Sequence, residues 1–125
     1  MAKILIVDDN SDNAEALSRV LRHSGHEVVA APDGREALGK VIQNLPDVVL
    51  LDLWMPVMDG PSFLEVARSY ARLRSLPVVV LTAFSESPMI DRVRNLKVNA
   101  ILVKGNASPA EIQAALEKAI GRVPN

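Results

Sequence analysis

The stretch Ile4-Leu5-Ile6-Val7-Asp8-Asp9 is an apolar run that ends on two acids, and Val48-Val49-Leu50-Leu51-Asp52 repeats the pattern with a third. Short apolar runs of this kind suit strands covered on both faces, as in a parallel sheet flanked by helices. In such a sheet the carboxyl ends of the strands gather at one rim, where α/β folds bind their ligands. Carboxylates collected there repel one another unless a hard divalent cation holds them together. The same residues therefore predict a parallel α/β sheet and an acidic metal pocket.

Working outward, β-branched runs alternate with helical segments along the whole chain. The predicted strands are Lys3–Val7, Glu27–Ala31, Val48–Leu51, Val78–Leu81 and Ala100–Val103. The first, third and fourth are almost wholly apolar and read as central, whereas Glu27 puts a charge on the second and suits an edge. Helix one is expected from about Asp12 to Ser24, with an Asp12…Glu15 capping box and Gly25 just beyond its end. Helix two begins at Asp33-Gly34-Arg35-Glu36, another box, and stops before Pro46. Helix three follows Asp59-Gly60-Pro61 and helix four follows Ser87-Pro88, each with proline in the tolerated first turn. Helix five starts at Ser108-Pro109-Ala110-Glu111 and stops near Gly121, with Ala114, Ala115, Leu116, Ala119 and Ile120 as its buried stripe. The sum is α/β, (βα)₅, one doubly wound sheet of five parallel strands, with residues 1–125 as a single domain.

Bulk properties narrow the function. The chain has 125 residues, 49% hydrophobic and only 3% aromatic, which predicts an aliphatic core. A formal charge of −1 gives no electrostatic case for nucleic acid or anionic membrane. The absence of cysteine excludes disulfides, thiolate metal sites and cysteine nucleophiles. No apolar run approaches the roughly 20 residues of a membrane span, and Met1-Ala2-Lys3 runs into a strand without a signal-peptide layout. The expectation is a soluble, cytoplasmic protein.

The chemistry is read from the strand ends. A carboxylate such as Asp52, beside a metal pocket, suits nucleophilic attack on phosphorus to give an acyl phosphate. That reaction needs a hydroxyl donor and a fixed cation for the phosphoryl oxygens. Thr82 ends the fourth strand and Lys104 follows the fifth, so both fall on the rim that holds the aspartates. Each alone reads as an ordinary strand or loop residue; the ordered set Asp8-Asp9, Asp52, Thr82, Lys104 does not.

At these residues, and at Met55-Pro56-x-Met58-Asp59-Gly60 and Thr82-Ala83, the chain resembles the receiver domain of two-component response regulators. The resemblance covers its whole length. It implies a flavodoxin-like sheet of strand order 2-1-3-4-5 and Mg²⁺ as the cofactor. Asp9, Asp52 and the carbonyl of Trp54 would ligate the ion directly, with Asp8 acting mainly through water. Asp52 would accept a phosphoryl group from a histidine kinase or phosphotransfer protein, with Thr82 as the switch threonine and Lys104 as the lysine. The domain would be no enzyme beyond its own phosphorylation and dephosphorylation. Switching would repack the face of helix four, strand five and helix five against a downstream protein. A stand-alone domain, monomeric or weakly dimeric, is expected.

Three departures separate the chain from the family. Gly105 replaces the usual cis proline after the lysine, and a cis bond without proline costs about 2.5–4 kcal/mol, so a trans or strained loop is expected. Asn106 replaces the switch aromatic. Trp54 and Phe84 put large rings where the attacking water normally passes, which should lengthen the acyl phosphate's lifetime. The first two departures motivate an alternative, a receiver-like binding module with little phosphorylation-dependent switching. An aspartyl-phosphate phosphatase of the haloacid dehalogenase kind fits less well, because Trp54 stands where its general acid is needed. A nucleotide-binding domain lacks its glycine fingerprint after strand one.

Other candidates read more plainly. Asp12, Asp33 and Asp59 are expected to cap helices. His23 and His26, flanking Gly25, are read as solvent-side residues rather than metal ligands. Met89, Ile90 and Val93 are read as core or partner-facing. Arg68, Arg72, Arg74, Arg92, Arg94 and Lys97 are read as solvated faces.

Overall fold

In the computed structural model, which describes residues 2–120, the five strands are β1 (Lys3–Val7), β2 (Glu27–Ala31), β3 (Val48–Leu51), β4 (Val78–Thr82) and β5 (Ala100–Val103). They alternate with helices α1 (Ser11–His23), α2 (Gly34–Gln43), α3 (Gly60–Ser69), α4 (Pro88–Arg94) and α5 (Pro109–Ala119). All strand pairs are parallel, in the order β2-β1-β3-β4-β5. The predicted topology is observed. Four strands have the predicted bounds, and the fourth takes in Thr82 as its last residue.

Strand alternation sorts the core into two layers. Leu5, Val7, Val49, Leu51, Val78 and Val80 pack with Ala37, Val41, Phe63, Leu64, Ala67, Ile90 and Val93 of α2, α3 and α4. Ile4, Ile6, Val48, Leu50, Val79 and Leu81 pack with Ala14, Leu21, Ile112, Leu116 and Ala119 of α1 and α5. Ile90 and Val93 are thus core, and Met89 is partly buried against them. Because β1, β3 and β4 carry apolar residues of both parities, they bind helices on both faces and must lie inside the sheet.

Helix starts follow local chemistry, with corrections. Asn10, not Asp12, caps α1: its side chain accepts from Asn13 N–H at 3.1 Å, and Asp12 lies in the first turn. Asn and Asp compete for this role, and here Asn10 is the residue in extended backbone. Asp33 caps α2 by accepting from Glu36 N–H, and Asp59 caps α3 by accepting from Ser62 N–H. Among the described residues, only Ser108 and Glu111 form the full reciprocal box. In α5, Ile112 joins Leu116 and Ala119 in the core, while Ala114 is exposed. The predicted stop near Gly121 lies outside the described residues. A 3-10 turn at Ala71–Leu73, not anticipated, joins α3 to β4. Among the described residues no helix is long and apolar enough to cross a membrane.

Three basic or titratable groups read as solvated make structural contacts instead: His26, Arg68 and, through Glu65 of α3, Arg92. The side chain of His26 is only 9% exposed and Nε2 lies 2.9 Å from Glu117 of α5. Its Nδ1 accepts the Ala2 N–H at 3.2 Å, which leaves the hydrogen on Nε2 facing the carboxylate. Arg68 donates to three carbonyls, Leu96 and Lys97 at 2.9 Å and Leu73 at 2.8 Å. These pairings are long-range, and for that reason were invisible to a reading of neighbours.

Candidate functional site

The rim is built by ladders that run one residue past the strands. Asp8 N–H donates to Ala31 O at 3.0 Å and Asp52 N–H to Val7 O at 2.9 Å. Lys104 N–H donates to Thr82 O at 2.7 Å. The registers Val7↔Leu51 and Thr82↔Val103 then bring Asp8 beside Asp52 and Lys104 just beyond Thr82. Alternation adds a second constraint. Asp8, Asp52 and Lys104 share the parity of the α1–α5 layer, so their side chains converge, whereas Thr82 has the parity of the opposite layer.

The structure brings together Asp8, Asp9 and Asp52, one oxygen of each lying within 4.8 Å of the others. Asp8 and Asp52 are buried and Asp9 is exposed. The Lys104 ammonium reaches between the buried pair, 3.3 Å from Asp8 Oδ2 and 3.4 Å from Asp52 Oδ2. Asp8 Oδ1 is also fixed by the Asn10 N–H at 2.9 Å. A groove of about 440 Å³ between α1 and α5 opens onto Asp8 and Lys104.

Charge is strained here. Burial pushes the Asp52 carboxyl up from 3.8 to about 6, opposed by Lys104 and assisted by Asp8. Burial also works against the Lys104 charge, but Asp52 and Asp8 outweigh it and hold the ammonium above its ordinary range. Three clustered carboxylates thus share one nearby lysine, which pairs with two of them. An all-oxygen donor set with surplus negative charge fits a hard divalent cation such as Mg²⁺ better than a transition metal.

Thr82 is fully buried, and its Oγ1 accepts the Phe84 N–H at 3.4 Å. The Trp54 N–H donates to Asp52 Oδ1, also at 3.4 Å. The two rings are about half exposed and meet edge to face, with centroids 6.3 Å apart and an interplanar angle of 70°. Gly105 has φ +87°, and among the described residues no peptide bond is cis. Glycine thus serves this loop through its left-handed φ. Asn106 is exposed.

The loop after Asp52 holds features missed in the sequence. Val57 has φ 68°, unusual for a β-branched residue, and Met58 N–H closes the turn onto Pro56 O at 2.7 Å. Gly60 N–H donates to Leu53 O, and a Cβ on Gly60 would stand 2.5 Å from the Asp52 carbonyl oxygen. Only glycine lets α3 begin against the backbone of Asp52. The Asp59-Gly60-Pro61 run signalled the helix start but not this contact.

The family model of the response regulator receiver domain matches residues 4–117. The transcriptional regulatory protein PrrA of Mycobacterium tuberculosis is 45% identical over 98 residues, 78% of this chain and 40% of that protein. PdtaR of the same species, also a transcriptional regulatory protein, is 36% identical over 121 residues, 96% of this chain and 57% of its own length. The chain therefore spans well under two thirds of these curated relatives. Among solved structures, the chemotaxis response regulator CheY4 of Vibrio cholerae superposes with a TM-score of 0.87 at 32% identity, covering 96% of this chain and 99% of that one.

Proposed function

Because the chain belongs to the response regulator receiver domain family, we propose that Asp52 accepts a phosphoryl group from a histidine kinase or phosphotransfer protein, and that the resulting acyl phosphate switches contacts with a downstream protein. The observation that carries this reading is the convergence of Asp8, Asp9, Asp52 and Lys104 on one rim.

In the proposed reaction a carboxylate oxygen of Asp52 attacks phosphorus. The bond from phosphorus to the donor's imidazole nitrogen breaks, and that nitrogen leaves with the electron pair. Lys104 faces the incoming phosphoryl oxygens with its ammonium, and the Thr82 hydroxyl donates to one of them. Asp9, Asp52 and the carbonyl of Trp54 would hold Mg²⁺ directly, with Asp8 through water. Bound there, the ion would offset the charge of the phosphoryl oxygens and align them. In the return step, water attacks phosphorus, the bond to Asp52 breaks, and inorganic phosphate is released. The domain is thus a self-modifying switch rather than an enzyme acting on other substrates.

The test is intact mass after incubation with Mg²⁺ and phosphoramidate. One phosphoryl adduct is expected in the wild type, dependent on Mg²⁺ and absent from Asp52→Ala. No adduct in a folded, Mg²⁺-binding protein would remove the proposal. A second reading, a module that binds its partner whether or not it is phosphorylated, is favoured by the exposed Asn106 in place of the family's aromatic. Unchanged partner affinity after stoichiometric phosphorylation would select it.

A further inference from the structure

The two helices expected to share an output face are anchored to opposite sides of the molecule. Among the described residues, every hydrogen bond or ion pair that α4 makes beyond its own turns goes to α3 or to its cap residue Asp59. Arg92 Nη2 lies 2.7 Å from Glu65 Oε1, with Nε 3.4 Å from Oε2, so the guanidinium engages both carboxylate oxygens. The same side chain reaches Ser62 Oγ at 3.4 Å and Asp59 Oδ2 at 4.0 Å. Just beyond α4, the chain is tied to α3 again through the Arg68 bonds to the Leu96 and Lys97 carbonyls. Beneath these clamps Ile90 and Val93 are buried in the layer that holds Phe63, Leu64 and Ala67. By contrast, α5 is pinned to the turn between α1 and β2, through Glu117 to His26 and Gln113 to Ser24 at 2.8 Å.

The near end of α3 touches the acceptor itself. Gly60 packs against the Asp52 carbonyl and bonds to Leu53 O, and its neighbour Asp59 caps the helix and faces Arg92. An unbroken set of contacts therefore runs from the Asp52 backbone through the start of α3 to Arg92 on α4. An exposed ion pair contributes little alone. Here it is bidentate, shares Arg92 with two more groups, and is backed by a second clamp at the other end of a helix only seven residues long.

We propose that α3 and α4 move as one rigid unit, and that the Arg92–Glu65 pair carries the state of Asp52 to the exposed face of α4. This rests on the acceptor reading above and adds its route. Arg92 and Glu65 are positioning residues; neither touches the phosphoryl group.

The test records backbone amide shifts by NMR when beryllofluoride and Mg²⁺ are added to the wild type, Glu65→Gln and Arg92→Gln. Thermal melts serve as a control for folding. In the wild type, amides at Asp52, Thr82 and Lys104 respond, and so do those of residues 88–94. In both variants the rim response is kept while the α4 response falls by roughly twofold or more. The double variant loses no more than either single one, as expected for two ends of one contact. An α4 response of wild-type size in both variants overturns the proposal, as does a wild-type response reaching β5 and α5 but not α4. A wild type silent at Asp52, Thr82 and Lys104 overturns the acceptor reading itself, and this route falls with it.

Discussion

Trp54 and Phe84 are large apolar rings that stay about half exposed, although burying such a ring is normally worth kilocalories. Each belongs to a residue whose backbone N–H is tied to the site, one to Asp52 Oδ1 and the other to Thr82 Oγ1. Their edge-to-face contact links the loops after β3 and β4 across the rim that holds Asp52. A polar side chain at either position would order water; a ring excludes it. Trp54→Asn and Phe84→Glu should therefore each shorten the lifetime of the acyl phosphate severalfold, measured as loss of the phosphoryl adduct after the donor is removed. Unchanged or longer lifetimes in both variants would refute the shielding role. The same residues show how far a sequence can be read. The aspartates, Thr82 and Lys104 were legible as strand-end residues, because a parallel sheet gathers its strand ends at one rim; the roles of Trp54 and Phe84 rested on the family resemblance alone. The Gly60 contact was not, since it depends on how closely a helix start approaches another strand's backbone.

Elements were legible where their signals are local. All five strands announced themselves as apolar runs, and α5 as Ser108-Pro109-Ala110-Glu111. The start of α1 lies one residue earlier than expected, because Asn10, in extended backbone, accepts the Asn13 N–H and caps the helix in place of Asp12. His26 and Arg68 are not legible as structural residues from the sequence, because their partners lie far along the chain, in α5 and beyond α4. The reciprocal box of α5 supports a prediction at this scale. Ser108→Ala should cost about 1 kcal/mol in denaturant melts, the usual loss for such a cap. Glu111 accepts the Ser108 N–H at 3.0 Å, and that bond holds its carboxyl below the ordinary 4.5. A depressed carboxyl stabilises the fold above its unfolded value, and that contribution is lost as the pH falls through the folded one. Glu111→Gln should accordingly flatten the decline of stability below pH 4.5. An acid limb identical to wild type would mean that the box does not form in solution.

The whole molecule holds a conflict between stability and site. Three carboxylates meet at the rim against one ammonium, and two of them are buried. Such a cluster opposes folding until something positive joins it. A cation that binds only the folded chain stabilises by mass action, about 2.7 kcal/mol at a hundredfold excess over Kd. For 125 residues this is a rise in Tm of roughly 10 °C. Asp9 is the informative residue to change, because it is exposed and its loss leaves no buried group unpaired. Asp9→Asn should leave the metal-free protein as stable as wild type or more so, since it removes repulsion. The same change should abolish most of the Mg²⁺-induced rise. A structural role for Asp9 predicts the reverse pattern: a lower Tm without metal and an undiminished response to it. Thermal melts of both proteins, with EDTA and across a Mg²⁺ series, separate the two, because one substitution must then move stability in opposite directions with and without the ion.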